Sequence, residues 1–247
     1  MIKYTRLEIL RTFRDRRFLF FSVGFPVMLY LLWTNVFGDD GSSDKTTGLT
    51  VDTYMMVAFG AYGAIGAALS TTGPRLATEL QDGWLRQLQV TPLRSWQVIS
   101  ARIVTALTVA LPSMLLVALT AVITKGVSLS AAQWAGTVVA LTLGVLPFAA
   151  LGTLIGATVK GDSAQPAMLM VYFPLAIIGG LWVPVSNLPS FLQDIAPYTP
   201  ANRMAELGWD IVGGNGVSGA GVLVLVVWTA ALGALATFGY RRATVAA

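Results

Sequence analysis

Six long runs of apolar residues cross this chain, and none of them contains an Asp, Glu, Lys or Arg residue. Each run is close to or above the ~20 residues that a helix needs to cross a bilayer. The sequence therefore predicts an all-α, polytopic membrane protein with six transmembrane helices. The predicted spans are residues 18–37, 54–72, 103–124, 132–158, 163–184 and 217–240.

The charged residues between these runs are sorted by sign. Of the 16 Lys and Arg residues, only Lys45, Lys125 and Arg203 fall in the segments after runs one, three and five. Most of the 12 acidic residues lie in those same segments. Because an excess of Lys and Arg stays on the cytoplasmic side, we expect both termini and the loop 73–102 to be cytoplasmic.

Several kinds of chemistry are excluded by what the chain lacks. It has no Cys and no His, which removes thiolate and imidazole sites. The spans carry no ionisable side chain of the kind that ion-driven transporters use, and no phosphate-loop motif occurs. We predict a non-enzymatic chain that binds no cofactor or metal, so energy for uphill transport must enter from another protein. The basic residues lie beside membrane ends, which favours lipid headgroups over nucleic acid as partners.

The loop between runs two and three contains a predicted amphipathic helix, residues 74–90. Leu76, Leu80, Trp84 and Leu88 repeat every four residues along one side. The opposite, polar side is formed by Glu79, Asp82, Arg86 and Gln89. Thr91 and Pro92 are expected to end the helix, since proline disfavours helical geometry in the residue before it. Periodicity alone favours a plain surface connector whose apolar side rests on lipid.

The residues of this loop resemble the first cytoplasmic loop of ABC-2 type permeases, the membrane subunits of bacterial ATP-binding-cassette exporters. The similar residues are Glu79, Gly83, Leu85, Leu88, Thr91, Pro92 and Leu93. The segment after the fifth run is similar to the family in a second place, with Gly180, Pro184, Leu188, Pro189, Leu192, Ile195 and Pro200. The two matches lie at opposite ends of the predicted topology.

The resemblance implies a single transmembrane domain, residues 1–247, in the bacterial cytoplasmic (inner) membrane. It would pair with a second permease subunit, identical or related, and with ATPase subunits that hold ATP and Mg. The helix 74–90 would be the coupling helix. Its contacts with the ATPase would come from Glu79, Asp82, Gly83, Arg86, Gln89, Thr91 and Pro92.

Two further segments acquire roles from the same resemblance. Residues 1–17 would form an interfacial connecting helix, with Ile9 and Phe13 on a stripe opposite Glu8; a simple positive-inside anchor is the alternative. Residues 185–216 would form short re-entrant or interfacial helices. The alternative there is a folded external loop with Trp182 and Trp209 at the membrane interface.

The resemblance also places spans two and five at a central cavity. The expected lining of a substrate path is Met55, Met56, Phe59, Tyr62, Met168, Tyr172, Phe173 and Ile177. Methionine and aromatic surfaces suit a hydrophobic or amphipathic compound such as a drug, an antibiotic or a lipid, although ordinary helix packing explains the same residues. The alternative function is a membrane anchor or sensor subunit that recruits a soluble regulator without transport.

Overall fold

The computed structural model describes residues 2–15, 20–37, 43–44, 47–82 and 95–246. No β-strand occurs among these residues, and the backbone bridge between Ser43 and Thr50 is isolated. Within the described part of the chain, five helical stretches are long and apolar enough to cross a membrane. The predicted all-α polytopic fold is therefore confirmed. Residues 18–19 of the first predicted span lie outside the described residues, as do residues 1, 16 and 17 of the predicted N-terminal helix.

We number the α-helices in chain order. They are α1 Ile2–Arg14, α2 Phe25–Phe37, α3 Val51–Thr72, α4 Pro74–Gln81, α5 Ser95–Lys125, α6 Ala131–Gly144, α7 Leu146–Thr158, α8 Ala164–Ile178, α9 Ser190–Ile195, α10 Pro200–Gly213 and α11 Gly219–Ala246. A π-helix, Phe20–Gly24, precedes α2, and 3-10 turns occupy Gly161–Ser163, Val185–Asn187 and Ala196–Tyr198.

Helix α3 is the centre of the bundle, and nearly all of its residues are buried. Its sequence is rich in Gly and Ala, which allows neighbouring helices to approach closely in lipid. A Cβ atom on Gly63 would lie 1.8 Å from Ser113 Oγ on α5 and 2.9 Å from Pro26 Cγ on α2. Only glycine fits between these two neighbours, so the sequence of α3 determines how tightly the first three spans pack.

The fourth predicted span is interrupted where the sequence contains a proline. Helix α6 ends at Gly144, and α7 begins at Leu146 with Pro147 in its first turn. Proline has no backbone N–H and disturbs the preceding helical turn. The two helices together still form one stretch that is long enough to cross the membrane.

The fifth predicted span, 163–184, is shorter than expected. Helix α8 has 15 residues, which at 1.5 Å per residue gives about 22 Å, less than the ~30 Å of a hydrocarbon core. The chain turns after it at Gly179 and Gly180, and Gly180 has a positive φ of 77°. This segment is not among the five stretches of spanning length, because the helix ends before the apolar sequence does.

A pair of glycines on α7 packs inside the subunit. A Cβ atom on Gly152 would lie 2.1 Å from Thr72 Oγ1, and one on Gly156 would lie 2.4 Å from the carbonyl oxygen of Gly73. The small-residue face of α7 therefore contacts the end of α3 and the start of α4. This contact brings α4 against the bundle.

The segment after α8 folds back onto the end of the bundle opposite α4, which we call the outer end. In α10, Met204 lies against Gly144 of α6, and Gly208 lies against Val57 of α3. Gln133 Nε2 donates a 2.8 Å hydrogen bond to the carbonyl oxygen of Val212, which ties α6 to the end of α10. Trp209 is only 4% exposed, so the alternative that placed it in an interfacial belt is wrong.

Candidate functional site

The helix that follows the central span, α4, begins at a sharp break in the backbone. Gly73 has φ −82° and ψ −84°, outside helical geometry, and Pro74 follows in the first turn. Proline is well suited to that position, because the first helical N–H has no partner in the helix. The buried side of α4 contains Leu76 and Ala77, and Leu76 packs with Tyr240 of α11.

The coupling residues predicted on this helix are only partly described by the structure. Asp82 follows the helix directly and is exposed. Glu79 is buried, with 7% of its surface exposed. The prediction that it lies on the outward, polar side of the helix is therefore wrong. The remaining predicted contacts, Gly83, Arg86, Gln89, Thr91 and Pro92, lie outside the described residues.

Glu79 is turned inward because two arginines surround its carboxylate. Its Oε2 accepts a hydrogen bond from Nη2 of Arg102 on α5. Its Oε1 lies 3.6 Å from Nε of Arg75, one helical turn earlier on α4. Burial of a carboxylate is unfavourable unless it is paired and hydrogen-bonded. Arg102 supplies a hydrogen bond and Arg75 a second positive charge, while Glu79 Oε1 has no hydrogen-bond partner among the described residues.

The N-terminal helix α1 contacts the same place. Arg75 Nη2 lies 3.1 Å from Glu8 Oε1, and Arg75 Nη1 donates a 2.7 Å hydrogen bond to Thr12 Oγ1. Glu8 and Thr12 are buried, whereas Leu7 and Leu10 are exposed. The sequence placed Glu8 opposite the apolar stripe of Ile9 and Phe13, on the side of α1 expected to face water. That orientation is wrong, because Arg75 holds the Glu8 carboxylate against α4.

The contact between α3 and α8 brings together much of the predicted substrate path. The rings of Tyr62 and Tyr172 stack with centroids 4.7 Å apart, and Tyr172 donates a 2.5 Å hydrogen bond to the carbonyl oxygen of Tyr62. Ser70 Oγ donates to Met168 Sδ at 3.7 Å. The second and fifth predicted spans therefore meet at this contact.

A groove of about 380 Å³ lies beside this contact, between the π-helix, α2, α3 and α8. Its lining combines aromatic rings with a few polar side chains. The lining residues are Phe21, Ser22, Phe25, Pro26, Tyr62, Gly63, Gly66, Ser70, Gln165, Met168, Leu169, Tyr172 and Phe173. The adjoining π-helix is notable because such helices are frequent at functional sites.

The residues predicted to line the substrate path lie in several different places in the structure. Tyr62, Met168, Tyr172 and Phe173 line the groove. Met56 and Phe59 are buried in the core of the subunit. Ile177 is 39% exposed. Met55 lines a different space at the outer end of the bundle.

That second space is a pocket of about 520 Å³. It lies between the outer ends of α2 and α3 and the turn that follows α8. Its lining residues are Trp33, Val36, Phe37, Ser43, Asp44, Val51, Tyr54, Met55, Val183, Pro184, Ser186 and Asn187. Asp44 belongs to its wall and accepts hydrogen bonds from Thr47 N and Oγ1. The groove and the pocket occupy opposite ends of the α2–α3 pair.

At the outer end, α10 is held by aromatic and neutral contacts. The rings of Trp209 and Tyr54 stack 4.3 Å apart with an interplanar angle of 12°. Trp209 Nε1 donates to the carbonyl oxygen of Tyr54 at 3.1 Å, and Tyr54 donates to the carbonyl oxygen of Gly180 at 2.9 Å. The hydrogen bonds close α10 and the turn after α8 over the end of α3.

Sequence reasoning missed the pairing of Arg75 and Arg102 with Glu79 and the stacking of Trp209 on Tyr54. The spacing of Arg75 and Glu79, which is one helical turn, indicates an ion pair on the helix. No comparable signal exists for Arg102, because its partner lies 23 residues earlier in the chain. Among the described residues no group of acidic side chains comes together in a form that could hold a metal ion.

Two comparisons with known proteins bear on this architecture. A family model described as ABC-2 family transporter protein matches residues 48–239. The chain is also similar to a protein of Bacillus subtilis (strain 168) named "Putative transport permease YvfS", with 26% identity over 226 residues. That alignment covers 92% of this chain and 91% of the relative. The residues matched by the family model include α3, α4 and α8, which contribute to the groove and to the charged contact.

Proposed function

Since this chain belongs to the ABC-2 family of transporter proteins, we propose that it is the permease subunit of an exporter for a hydrophobic or amphipathic compound. The compound would be a drug, an antibiotic or a lipid, moved from the inner side of the membrane to the outer side. Membership of the family implies an ABC transporter with an ATPase partner. Export and the class of cargo are our proposals.

The observation that carries the proposed cargo class is the groove between the π-helix, α2, α3 and α8. Its aromatic and methionine side chains offer an adaptable apolar surface, and Ser22, Ser70 and Gln165 add a few hydrogen-bonding groups. A space of about 380 Å³ falls in the range of small-molecule sites, which are mostly apolar with few polar contacts. An amphipathic molecule satisfies both parts of this lining.

The proposed mechanism takes its energy from a partner chain. The six apolar runs contain no Asp, Glu, Lys or Arg, so they offer no titratable relay for a proton or sodium gradient. ATP and Mg would be bound by a nucleotide-binding subunit that contacts the loop containing α4. We propose two permeases, identical or related, in the complex, since two-fold pairs are the commonest closed assemblies.

The proposed orientation follows from the charge distribution. Both termini and α4 would face the cytoplasm, and the pocket of about 520 Å³ would lie on the outer side, at the exit. Single cysteines test this cleanly because the natural chain has none. Exposed Ser43 and Asn215, changed to Cys, should react with an impermeant maleimide in intact cells, and exposed Thr78, changed to Cys, should react only after permeabilisation. The reverse pattern would reject the orientation.

Reconstitution tests transport itself. The chain is co-purified with its proposed ATPase subunit and placed in vesicles with rhodamine 6G or a fluorescent phosphatidylcholine as probe. We expect ATP-dependent movement of at least one probe, and none when the catalytic glutamate of the ATPase is changed to Gln. Movement driven by an imposed proton gradient without ATPase would reject the proposal. A stable complex that hydrolyses ATP but moves neither probe would favour the anchor or sensor function.

A further inference from the structure

Four charged side chains meet in one buried cluster on the side of the bundle that we assign to the cytoplasm. This inner charge cluster consists of Glu8 on α1, Arg75 and Glu79 on α4, and Arg102 on α5. Glu8, Glu79 and Arg102 are each less than 10% exposed. The cluster contains two positive and two negative groups, so its net charge is balanced without help from other residues.

The cluster joins α4 to two neighbouring helices, α1 and α5. Arg75 reaches α1, where it lies 3.1 Å from Glu8 Oε1. Glu79 reaches α5, where it accepts the hydrogen bond from Arg102. The link between Arg75 and Glu79 within α4 is looser, at 3.6 Å. On α4, the positive charge of Arg75 faces α1 and the negative charge of Glu79 faces α5.

The remaining contacts of α4 are of another kind. Leu76 packs with Tyr240 of α11 and with Ala157 of α7, and the backbone of Gly73 lies against Gly156. Apolar attraction is roughly proportional to buried area and has no preferred direction. The contact of Gly73 with Gly156 is tight, since a Cβ atom on Gly156 would lie 2.4 Å from the carbonyl oxygen of Gly73, but no charge depends on it. Separating an ion pair is costlier in this setting, because moving one partner away leaves a buried charge without compensation.

A displacement of α4 is therefore transmitted selectively. The helix Pro74–Gln81 begins the loop through which the proposed ATPase acts, and Glu79 connects it to the first turns of the long helix Ser95–Lys125. When α4 moves, the Glu79–Arg102 pair requires α5 to move with it. Among the described residues, Arg102 connects the cluster to the helix that forms the third predicted span.

We propose that Arg102 is a positioning residue for transport: by binding Glu79 it makes α4 and α5 move as one unit. This inference rests on the proposed function. In this proposal, Arg102 contacts neither the cargo nor the ATPase. It predicts that the charge pair determines how many cargo molecules are moved for each ATP hydrolysed, and that it can be removed without removing either the fold or the ATPase activity.

The decisive variant replaces both partners, Glu79→Met together with Arg102→Met, which fills similar volume with unbranched apolar side chains. Removing both charges avoids the uncompensated charge that a single replacement leaves buried. The matched control is Arg203→Met with Glu206→Met. That pair also joins an arginine to a glutamate, but within α10 alone. Each protein is reconstituted with the ATPase, and three quantities are measured: melting temperature, ATP hydrolysis, and rhodamine 6G or lipid movement.

The double Met variant should keep its melting temperature and its ATP hydrolysis while the ratio of probe moved to ATP hydrolysed falls about tenfold, a typical coupling between distant sites. The control should keep the wild-type ratio. Arg102→Lys retains the charge but not the planar fork, so its ratio should lie between those of the wild type and the double Met variant.

Three results would overturn the inference: an unchanged ratio in the double Met variant, an equal loss in the control, or loss of folded protein in the double Met variant, which would make the pair a requirement of the fold. Failure of the proposed function looks different. In that case the wild-type complex itself moves no probe with ATP. If the wild type transports and the double Met variant does so equally well, only the role of Arg102 is rejected.

Discussion

The two ends of the central helix α3 each hold a neighbouring helix, and they do so by different physics. At the inner end, α4 is fixed by the inner charge cluster. At the outer end, α10 is fixed by the stacked rings of Tyr54 and Trp209, which lie 4.3 Å apart. Both contacts are buried and both include hydrogen bonds, yet one depends on four full charges and the other on neutral groups.

The difference determines what each end can do. Aromatic stacking is more favourable the larger the contact area. Hydrogen bonds from Trp209 Nε1 and the Tyr54 hydroxyl to backbone carbonyls fix the geometry of the contact. Such a contact stabilises one arrangement. The charge cluster joins α4 to α1 and α5 through directed ion pairs, so it can pass a displacement of α4 on to its neighbours. On the proposed function, we regard the outer end as a fixed cap and the inner end as the part that moves during transport.

The largest expected effect comes from breaking the inner contact on one side only. Glu79→Ala leaves Arg102 buried without this acceptor, and removal of one partner from a buried pair destabilises proteins by about 4 kcal/mol. Thermal and denaturant unfolding of the purified subunit in detergent measure the change. Thr78→Ala, at the exposed neighbouring position, is the control and should be nearly neutral. A loss no larger for Glu79→Ala than for Thr78→Ala would show that the cluster does not stabilise the inner end.

The outer contact should respond to size and not to charge. Trp209→Ala removes a buried aromatic side chain, and we expect a loss of about 3 kcal/mol. Trp209→Phe keeps most of the packing and removes the hydrogen bond to Tyr54, so about 1 kcal/mol should be lost. The same unfolding experiments compare the two variants. Equal losses would mean that the hydrogen bond, and not the stacked area, holds α10.

The groove lies between these ends, and its hydrogen bond gives a smaller effect. Tyr172→Phe removes the hydroxyl that donates to the carbonyl oxygen of Tyr62 at 2.5 Å, while the ring stacking remains. A single neutral hydrogen bond contributes about 1 kcal/mol. Phe173→Leu, one residue along α8 and more exposed, is the matched control for a change of lining. A melting temperature of Tyr172→Phe above that of the wild type would contradict the structural role of this bond.

The features that repeat along the sequence were predictable, and those that depend on distant pairing were not. Length and apolarity predicted the spans formed by α3, α5 and α11, because a bilayer fixes how long a spanning helix must be. The helical period placed Leu76 and Leu80 together on the apolar side of α4 and, wrongly, placed Glu79 on an outward polar side. Periodicity assigns a carboxylate to the solvent side, and only the approach of Arg102 from another helix reverses that assignment.

The outer end shows the same limit. The sequence indicated that residues 185–216 contain amphipathic pieces, and α10 is such a helix. Its depth could not be derived, because Trp209 suits both a membrane interface and a buried stack. The position at which α8 ends could not be predicted either, because Gly179 and Gly180 lie inside a run that is apolar throughout. The three-dimensional partners of these residues, and not their own chemistry, decide their positions.

The smallest expected effect concerns a charge at the neutral outer end. Burial raises the pKa of Asp210 above its ordinary value, and Glu206 raises it further, while Arg203 lowers it. Because the folded state binds this proton more tightly, the resulting stabilisation is fully present below the ordinary pKa and is lost as pH rises through the raised value. At neutral pH the ionised carboxylate is therefore mildly unfavourable.

Asp210→Asn removes that ionisation and should raise the melting temperature slightly at pH 7 to 8, by an amount within the ~0.5 kcal/mol usual for surface changes. The difference from wild type should shrink as the pH is lowered toward the raised pKa, since the wild-type carboxyl then becomes neutral too. Melting curves of both proteins from pH 8 down to pH 4 measure it. A difference that grows on acidification would mean that the charged carboxylate stabilises α10, and the outer end would then resemble the inner one in depending on charge.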